Sequence, residues 1–300
     1  MLRRRSLLLL PLLLVPVALA AKPAPQLAQP YGVLVDHRGR VFVTDAGRHQ
    51  VLRYDARRKR LVRVAGSGRA GNAGDGGPAA RARLGELVSL AEDTKGRLYV
   101  SDLHNSAVRR FTVGGRITTV ARIPGATGID VDPAGRYLAV ASIERGVIRV
   151  DLATGRLETL VPVGKGVVGP HGLQYDARGD LWVADPRNGV LRIDRSSGEL
   201  RVVARIDTAN VLPTARGVYV TVGGPDGGRV LLLRPDGTRR VLVGTGRISR
   251  HRDGVRATRV GILPTGLALA RDGSLLVAQA RPIPALRRVS RAGIITTIAR

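Results

Sequence analysis

The chain contains no cysteine. Disulfides, thiolate metal sites and cysteine nucleophiles are therefore excluded. Export as a lipid-anchored protein is excluded too, because that route needs a cysteine just after the leader. Aromatic residues are scarce, at 3% of 300 residues. A core must then be built from Val, Leu, Ile and Ala, and a base-stacking platform for nucleic acid is missing. Lysine stands only at positions 22, 59, 95 and 165, so the formal charge of +26 is almost wholly arginine. No serine sits in a Gly-x-Ser-x-Gly elbow, which removes that hydrolase signature.

What remains is apolar and glycine-rich, with 44% hydrophobic residues and 38 glycines. Short β-branched runs punctuated by glycine read as a turn-dense all-β protein. The basic field attracts anionic surfaces and polymers. Arginine is scattered through every segment, so a solvated surface accounts for the charge as well as an anionic partner does.

Residues 1–21 (MLRRRSLLLLPLLLVPVALAA) have the form of a signal peptide. Three arginines precede an apolar stretch, and Ala18-Leu19-Ala20 supplies a small-x-small cleavage pattern. The stretch is short of the ~20 residues of a membrane span. Residues 22–29 form a lead-in. The mature chain is expected to be extracytoplasmic, with the general secretory and twin-arginine routes both open, and to have no further span.

A four-part unit then repeats six times. Gly-x-apolar-apolar-apolar occurs at Gly39 (GRVFV), Gly96 (GRLYV), Gly179 (GDLWV) and Gly273 (GSLLV), with looser copies at Gly135 and Gly217. About ten residues on comes Val-x-Arg-apolar: VLRY at 51–54, VRRF at 108–111, VIRV at 147–150 and VLRI at 190–193. An apolar string precedes and another follows each pair. Four short strands per unit, repeated at this spacing, predict an all-β six-bladed β-propeller with four antiparallel strands per blade. The blades are expected over 30–65, 87–121, 124–161, 169–204, 210–243 and 263–300, with insertions at 66–86 and 244–262. Two separate β-sandwiches would not need the same turn chemistry six times.

These residues resemble the NHL-repeat propellers. Residues 30–54 (PYGVLVDHRGRVFVTDAGRHQVLRY) and 170–193 (PHGLQYDARGDLWVADPRNGVLRI) carry the pattern. The insertion GSGRAGNAGDGGPAARARL at 66–84 looks like the Gly-Asp-Gly-Gly-Pro-Ala loop of secreted bacterial members, and 244–260 is a worn copy. Within that loop Asn72 and Asp75 could together contact a cation, although two oxygens are thin for Ca²⁺. Asp45, Asp102 and Asp185 close second strands and suit turn caps.

In such a ring the inner-strand starts and the second-to-third-strand loops share one face around the channel mouth. The mouth positions read from the repeat are Tyr31, Val88, Thr127, His171, Pro213 and Thr265, with Glu86 and Asn210 close by. The loop face adds Arg48, His49, His104, Asn105, Arg145, Arg187 and Asn188. More distantly the chain resembles SMP-30/gluconolactonase-type lactone hydrolases, most of all over 172–203. That resemblance implies a divalent metal held by Glu, Asn and Asp, but the matching positions carry Gln29, Thr127 and His171, which should abolish tight binding of a hard cation. A three-histidine zinc site of the amidating-lyase kind finds one of its ligands, His171. His37, His49, His104 and His251 fall elsewhere in the repeat, and zinc needs three or four convergent ligands.

The expectation is therefore a binding protein that recognises a protein, glycan or anionic ligand at the mouth. No cofactor is expected, though a divalent metal stays open. Nucleic acid is disfavoured and the chain is expected to be a monomer. The alternative is a lactone hydrolase or streptogramin-lyase-like enzyme remodelled around His171, with Glu86 or Glu144 as partner.

Overall fold

A computed structural model describes residues 26–224, 226–249 and 253–300. The leader at 1–21, the first residues of the lead-in and His251 lie outside the described residues. Six sheets are present, each made from one contiguous stretch of chain. Blade 1 comprises Pro30–Val35, Val41–Asp45, Gln50–Asp55 and Arg60–Ala65. Blade 2 comprises Leu87–Glu92, Leu98–Asp102, Ala107–Phe111 and Ile117–Arg122. Blade 3 comprises Ala126–Val131, Tyr137–Ser142, Gly146–Asp151 and Leu157–Val161. Blade 4 comprises Leu173–Tyr175, Leu181–Asp185, Gly189–Ile193 and Leu200–Ala204. Blade 5 comprises Asn210–Thr214, Gly217–Gly224, Gly227–Leu233 and Arg239–Val243. Blade 6 comprises Leu263–Leu269, Leu275–Arg281, Ala285–Val289 and Ile294–Ala299, and the short strand Val255–Arg256 pairs with its outer edge to make five. All the strand pairs within the blades are antiparallel.

Apolar burial sits between neighbouring blades. Phe42 and Val51 of blade 1 pack with Leu98 and Phe111 of blade 2. The pattern recurs at each seam, and the last seam joins Val33 and Val43 of blade 1 to Leu276 and Leu286 of blade 6. Small aliphatic side chains suffice because two sheet faces share each cluster. Burying one Leu or Val in such a cluster contributes about 1.5–3 kcal/mol. Closure of the ring is therefore a packing event, with no strand exchanged between first and last blades. Leu27, just ahead of blade 1, is buried in that closing seam.

The two insertions belong to the same architecture. Gly66 and Ser67 donate to the carbonyls of Ala79 and Ala82, and Ala79 donates to Gly115. The later insertion repeats this with Gly244 to Ala257, Thr245 to Val260 and Ala257 to Gly293. Its described residues keep this bonding although the sequence is worn. Each insertion folds back on the outer edge of the following blade, which covers backbone groups that would otherwise invite pairing with another chain.

Candidate functional site

The inner strands of all six blades line an axial cavity of about 200 Å³. At its mouth the strands of four blades come too close to the next blade for a side chain. A Cβ on Gly32 would lie 2.6 Å from the Val88 carbonyl oxygen of the next blade, and one on Gly172 would lie 2.8 Å from that of Ala209. Gly128 and Gly266 abut the carbonyls of His171 and Tyr31 in the same way. This contact is the physical reason for the x-Gly string that opens most inner strands.

Just above these glycines, hydroxyl groups bridge the blades. In blade 1, Thr44 Oγ1 accepts from Gly32 N–H at 2.7 Å and donates to the Val88 carbonyl at 3.1 Å. In blade 2, Ser101 Oγ accepts from Ser89 N–H at 2.9 Å and donates to the Thr127 carbonyl at 2.6 Å. Blades 3 and 6 have alanine at the corresponding second-strand position, Ala141 and Ala278. There the hydroxyl comes from the inner strand instead. Thr127 Oγ1 lies 3.0 Å from the Pro170 carbonyl and Thr265 Oγ1 lies 2.8 Å from that of Pro30. The second of these bonds spans the closing seam.

Blade 4 also has alanine, Ala184, but its inner-strand residue is His171. The His171 backbone N–H donates to the Ala184 carbonyl at 2.9 Å. Its side chain is exposed, and among the described residues no hydrogen bond ties it to the scaffold. Burial of the ring's inner part lowers its pKa below the ordinary histidine value, against the opposing charges of Asp185 and Asp207. The lowered pKa favours the neutral imidazole, which can donate from one nitrogen and accept at the other.

The other mouth positions are occupied differently. The register pairs Asn210 with Thr221 and Val211 with Val220, which puts Ala209 at the blade-5 position. Pro213 pairs with Val218 at the far end of the strand and lines a groove on the opposite face. The shift arises because Asn210, like Ser89 of blade 2, stands where the other four blades have glycine, so the sequence offers no marker there. Asn210 Nδ2 donates to the Thr265 carbonyl at 3.0 Å, linking blades 5 and 6. Thr127 and Thr265, expected to face a ligand, bridge blades. Tyr31 remains half-buried, its hydroxyl accepting from Gln29 Nε2 at 3.1 Å. Glu86 is half-buried with its carboxylate free of scaffold bonds, while its carbonyl accepts from Leu103 N–H.

The loop face divides likewise. His49, held at φ +55°, sets Nδ1 2.8 Å from the Gly85 carbonyl, and Asn105 Nδ2 donates to the Gly71 carbonyl and the Asp102 carboxylate. Asn188 Nδ2 donates to the Gly166 carbonyl. These three side chains fasten loops. Arg48, His104, Arg145 and Arg187 are exposed around the mouth, with Arg48 Nε 3.9 Å from Asp45.

Beneath the loops lie the closing aspartates. Asp45 accepts from the N–H groups of Ala28 and Gln29, and Asp185 accepts from those of Val168, Gly169, Arg187 and Asn188. Each ties the segment entering a blade to the end of its second strand. Burial opposes ionisation of Asp185, but its four backbone donors outweigh that and hold the carboxyl below the usual range. Asp102 is more deeply enclosed, and burial raises its carboxyl despite bonds from Asn105 and Gly85.

Two charged features were not singled out by the repeat pattern. Asn72 and Asp75, the candidate cation pair, hold the guanidinium of Arg109, which is buried on the third strand of blade 2. Asp130, on the inner strand of blade 3, lines the axial cavity and accepts from Tyr175 N–H at 2.8 Å. Burial pushes its carboxyl up to about 7. Among the described residues one cluster brings three potential metal ligands together, Asp36, His37 and Glu92. It lies away from the mouth, with Asp36 2.5 Å from Arg40 Nε and His37 bonded to Glu92.

No family profile matches the chain. One curated relative, the protein Suppressor of Quenching 1 of Arabidopsis thaliana chloroplasts, is 39% identical over 83 residues, 28% of this chain. The match spans only 8% of that relative's length. Among solved structures, virginiamycin B lyase from Staphylococcus aureus bound to quinupristin is 13% identical at a TM-score of 0.58, over 90% of this chain and 83% of its own. A candidate gluconolactonase is 17% identical at 0.60, over 94% of both chains. An auxiliary nutrient binding protein from Bacteroides thetaiotaomicron is 12% identical at 0.66, over 91% of this chain and 70% of its own. Likeness at this identity speaks to architecture, and with the ring of six sheets it makes this chain a six-bladed β-propeller.

Proposed function

We propose that the protein is an extracytoplasmic binding propeller that recognises a glycan, protein or anionic ligand at the channel mouth, with His171 at the centre of the site. The observation that carries this reading is the contrast within one tier of residues. Thr127 and Thr265 have their hydroxyls on neighbouring-blade carbonyls, whereas the imidazole at the matching position of blade 4 faces solvent without a scaffold bond. A stability role would favour threonine there too. Exposed Arg145 and Arg187, on the second-to-third-strand loops of blades 3 and 4, supply charge for an anionic group. Fold neighbours include a nutrient binding protein and the extracellular domains of a one-component and a hybrid two-component system of Bacteroides thetaiotaomicron, which supports binding outside the cytoplasm.

A second reading is catalysis at His171. A neutral, partly desolvated imidazole is chemically suited to general-base work, and two fold neighbours are described as a lyase and a candidate gluconolactonase. Among the described residues, however, no acid or second base is hydrogen-bonded to it.

The test uses the mature chain on a glycan array at physiological salt, with hits remeasured by calorimetry against His171→Ala. Binding that falls at least tenfold in the variant supports the mouth site. No hit outside the acidic polysaccharides, or binding of such hits that is indifferent to His171, overturns it. Turnover of a lactone panel with added Ca²⁺, Zn²⁺ or Mn²⁺, lost in His171→Ala, would establish the second reading instead.

A further inference from the structure

The face opposite the mouth carries a groove of about 710 Å³ between blades 5 and 6. Its walls present Arg216, Arg234, Arg240, Arg256 and Arg291, and its lining includes no carboxylate. Its floor is apolar, with Leu232, Leu275 and Val289 beneath. None of the five arginines has an ion-pair partner among the described residues, in contrast to Arg40, Arg97 and Arg192 elsewhere in the ring. Asp236, in the same turn as Arg234, bonds the N–H and hydroxyl of Thr238 and feels the Arg234 charge, but it forms no ion pair with it and lies outside the groove lining.

The groove does not end there. Arg234 also lines a second groove of about 760 Å³ between blades 4 and 5, together with Arg178 and Arg239. The single carboxylate in that lining, Asp176, accepts from Trp182 Nε1 at 3.0 Å and from the Arg178 and Asp180 backbone. Two apolar-floored troughs joined at one arginine thus form a cationic track across three blades.

A cluster of unpaired guanidinium groups is self-repelling, and bound anions relieve that repulsion. Diffuse surface charge would not gather five cations in one concavity and leave acids out. A track that continues over two grooves fits an extended chain with repeated charges better than one small ion. An apolar floor suits the C–H faces of sugar rings. A single-stranded nucleic acid would need exposed aromatic faces, but Tyr219 is buried and Trp182 lies under Arg192, 5.7 Å from its ring centroid. A flat anionic membrane would not enter an inset groove. We infer that this face binds a strand of acidic polysaccharide, with the guanidinium groups pairing its carboxylate or sulfate groups.

The site is separate from the mouth, so it stands or falls without His171. Binding of polygalacturonate and heparin oligosaccharides is measured by calorimetry at 150 and 400 mM NaCl, salt levels chosen at roughly physiological strength and above it. The groove variant is Arg240→Glu/Arg256→Glu/Arg291→Glu. A control with the same net charge is Arg57→Glu/Arg60→Glu/Arg122→Glu, at exposed positions away from the track. The groove variant should lose at least tenfold in affinity and shed about two to three units of slope in log K against log salt. The control should change less than about threefold, an allowance for the lowered general field. Arg240→Gln/Arg256→Gln/Arg291→Gln, which adds no acid, should give an intermediate loss if the Glu variant folds poorly. Equal losses in groove and control variants, or no binding of either polysaccharide, would overturn the inference. So would tighter, groove-dependent binding of oligo-dT or of vesicles containing phosphatidylglycerol.

Discussion

Arg109 Nη2 lies 2.7 Å from Asp75 Oδ1, joining the third strand of blade 2 to the insertion that precedes that blade. Asp75 Oδ2 accepts from Thr119 N–H at 3.0 Å, so one carboxylate clamps two strands. The pair recurs at the other insertion. Arg287 Nη2 lies 2.9 Å from Asp253 Oδ1, and Thr297 N–H donates to the second oxygen at 3.0 Å. At the same strand position the four blades without such an insertion carry Leu52, Ile148, Leu191 and Leu231. Both guanidinium groups are buried, and both carboxyls are held below the usual range: burial opposes this, while the threonine and arginine partners prevail.

An asymmetry in mutational cost follows. Asp75→Ala leaves a buried guanidinium without its main counter-charge and should cost about 3 kcal/mol. Arg109→Leu matches the residue of blade 1, leaves the solvent-facing Asp75 hydrated, and should cost less than about 1.5 kcal/mol. Urea unfolding of the two variants measures the difference. Equal costs would show that the arginine does not depend on the aspartate.

The closing seam should be sensitive to one hydroxyl and one hydrogen. Thr265→Val removes the bond to the Pro30 carbonyl at nearly constant volume and should cost about 1–2 kcal/mol. Gly266→Ala drives a methyl into the Tyr31 carbonyl and should cost more, about 3 kcal/mol, because the obstacle is backbone. Hydrogen exchange should show both losses concentrated in blades 1 and 6.

At blade 4 the prediction reverses sign. His171→Thr supplies the hydroxyl that blades 3 and 6 use, and Thr208 of blade 5 holds the place of Pro170 and Pro30 as its acceptor. It should gain about 0.5–1 kcal/mol of stability while abolishing ligand capture at the mouth. A variant that is stabilised and still binds would separate His171 from the site.

Asp130 makes stability depend on pH. Its folded pKa of about 7 is above that of an unfolded aspartate, so the folded state binds the proton more tightly. Its contribution is therefore most favourable at acid pH and is lost as pH rises from about 4 towards 7. Asp130→Asn removes this dependence and can still accept from Tyr175 N–H. The variant should gain stability relative to the parent at pH 8 and little at pH 4.5, read as the difference in urea midpoints.

The blades were legible because closure at the axis demands glycine and the turns demand aspartate, and both recur along the chain. The mouth was only partly legible. Thr127 and Thr265 were sound choices by position, but sequence does not tell whether a hydroxyl faces solvent or the carbonyl of the next blade. Pro213 misled because Asn210 replaces the glycine that marks the register elsewhere. The clasp at Asp75 left a trace in the doubled arginines of VRRF and LRRV, at 108–111 and 286–289. Its meaning needed the insertion's path in space, which no local pattern encodes. The cationic track was invisible for the same reason, since its five arginines come from turns and strands up to 75 positions apart, Arg216 to Arg291.

No blade borrows a strand from another, so the joint between blades 6 and 1 is made by the same kind of apolar packing as the other five. The order in which the chain visits the ring is then a matter of covalent bookkeeping. A circularly permuted gene that links residue 300 to residue 26 and opens the backbone at the exposed Arg195–Ser197 turn should encode the same ring, split within a blade that its own sheet pairing holds together.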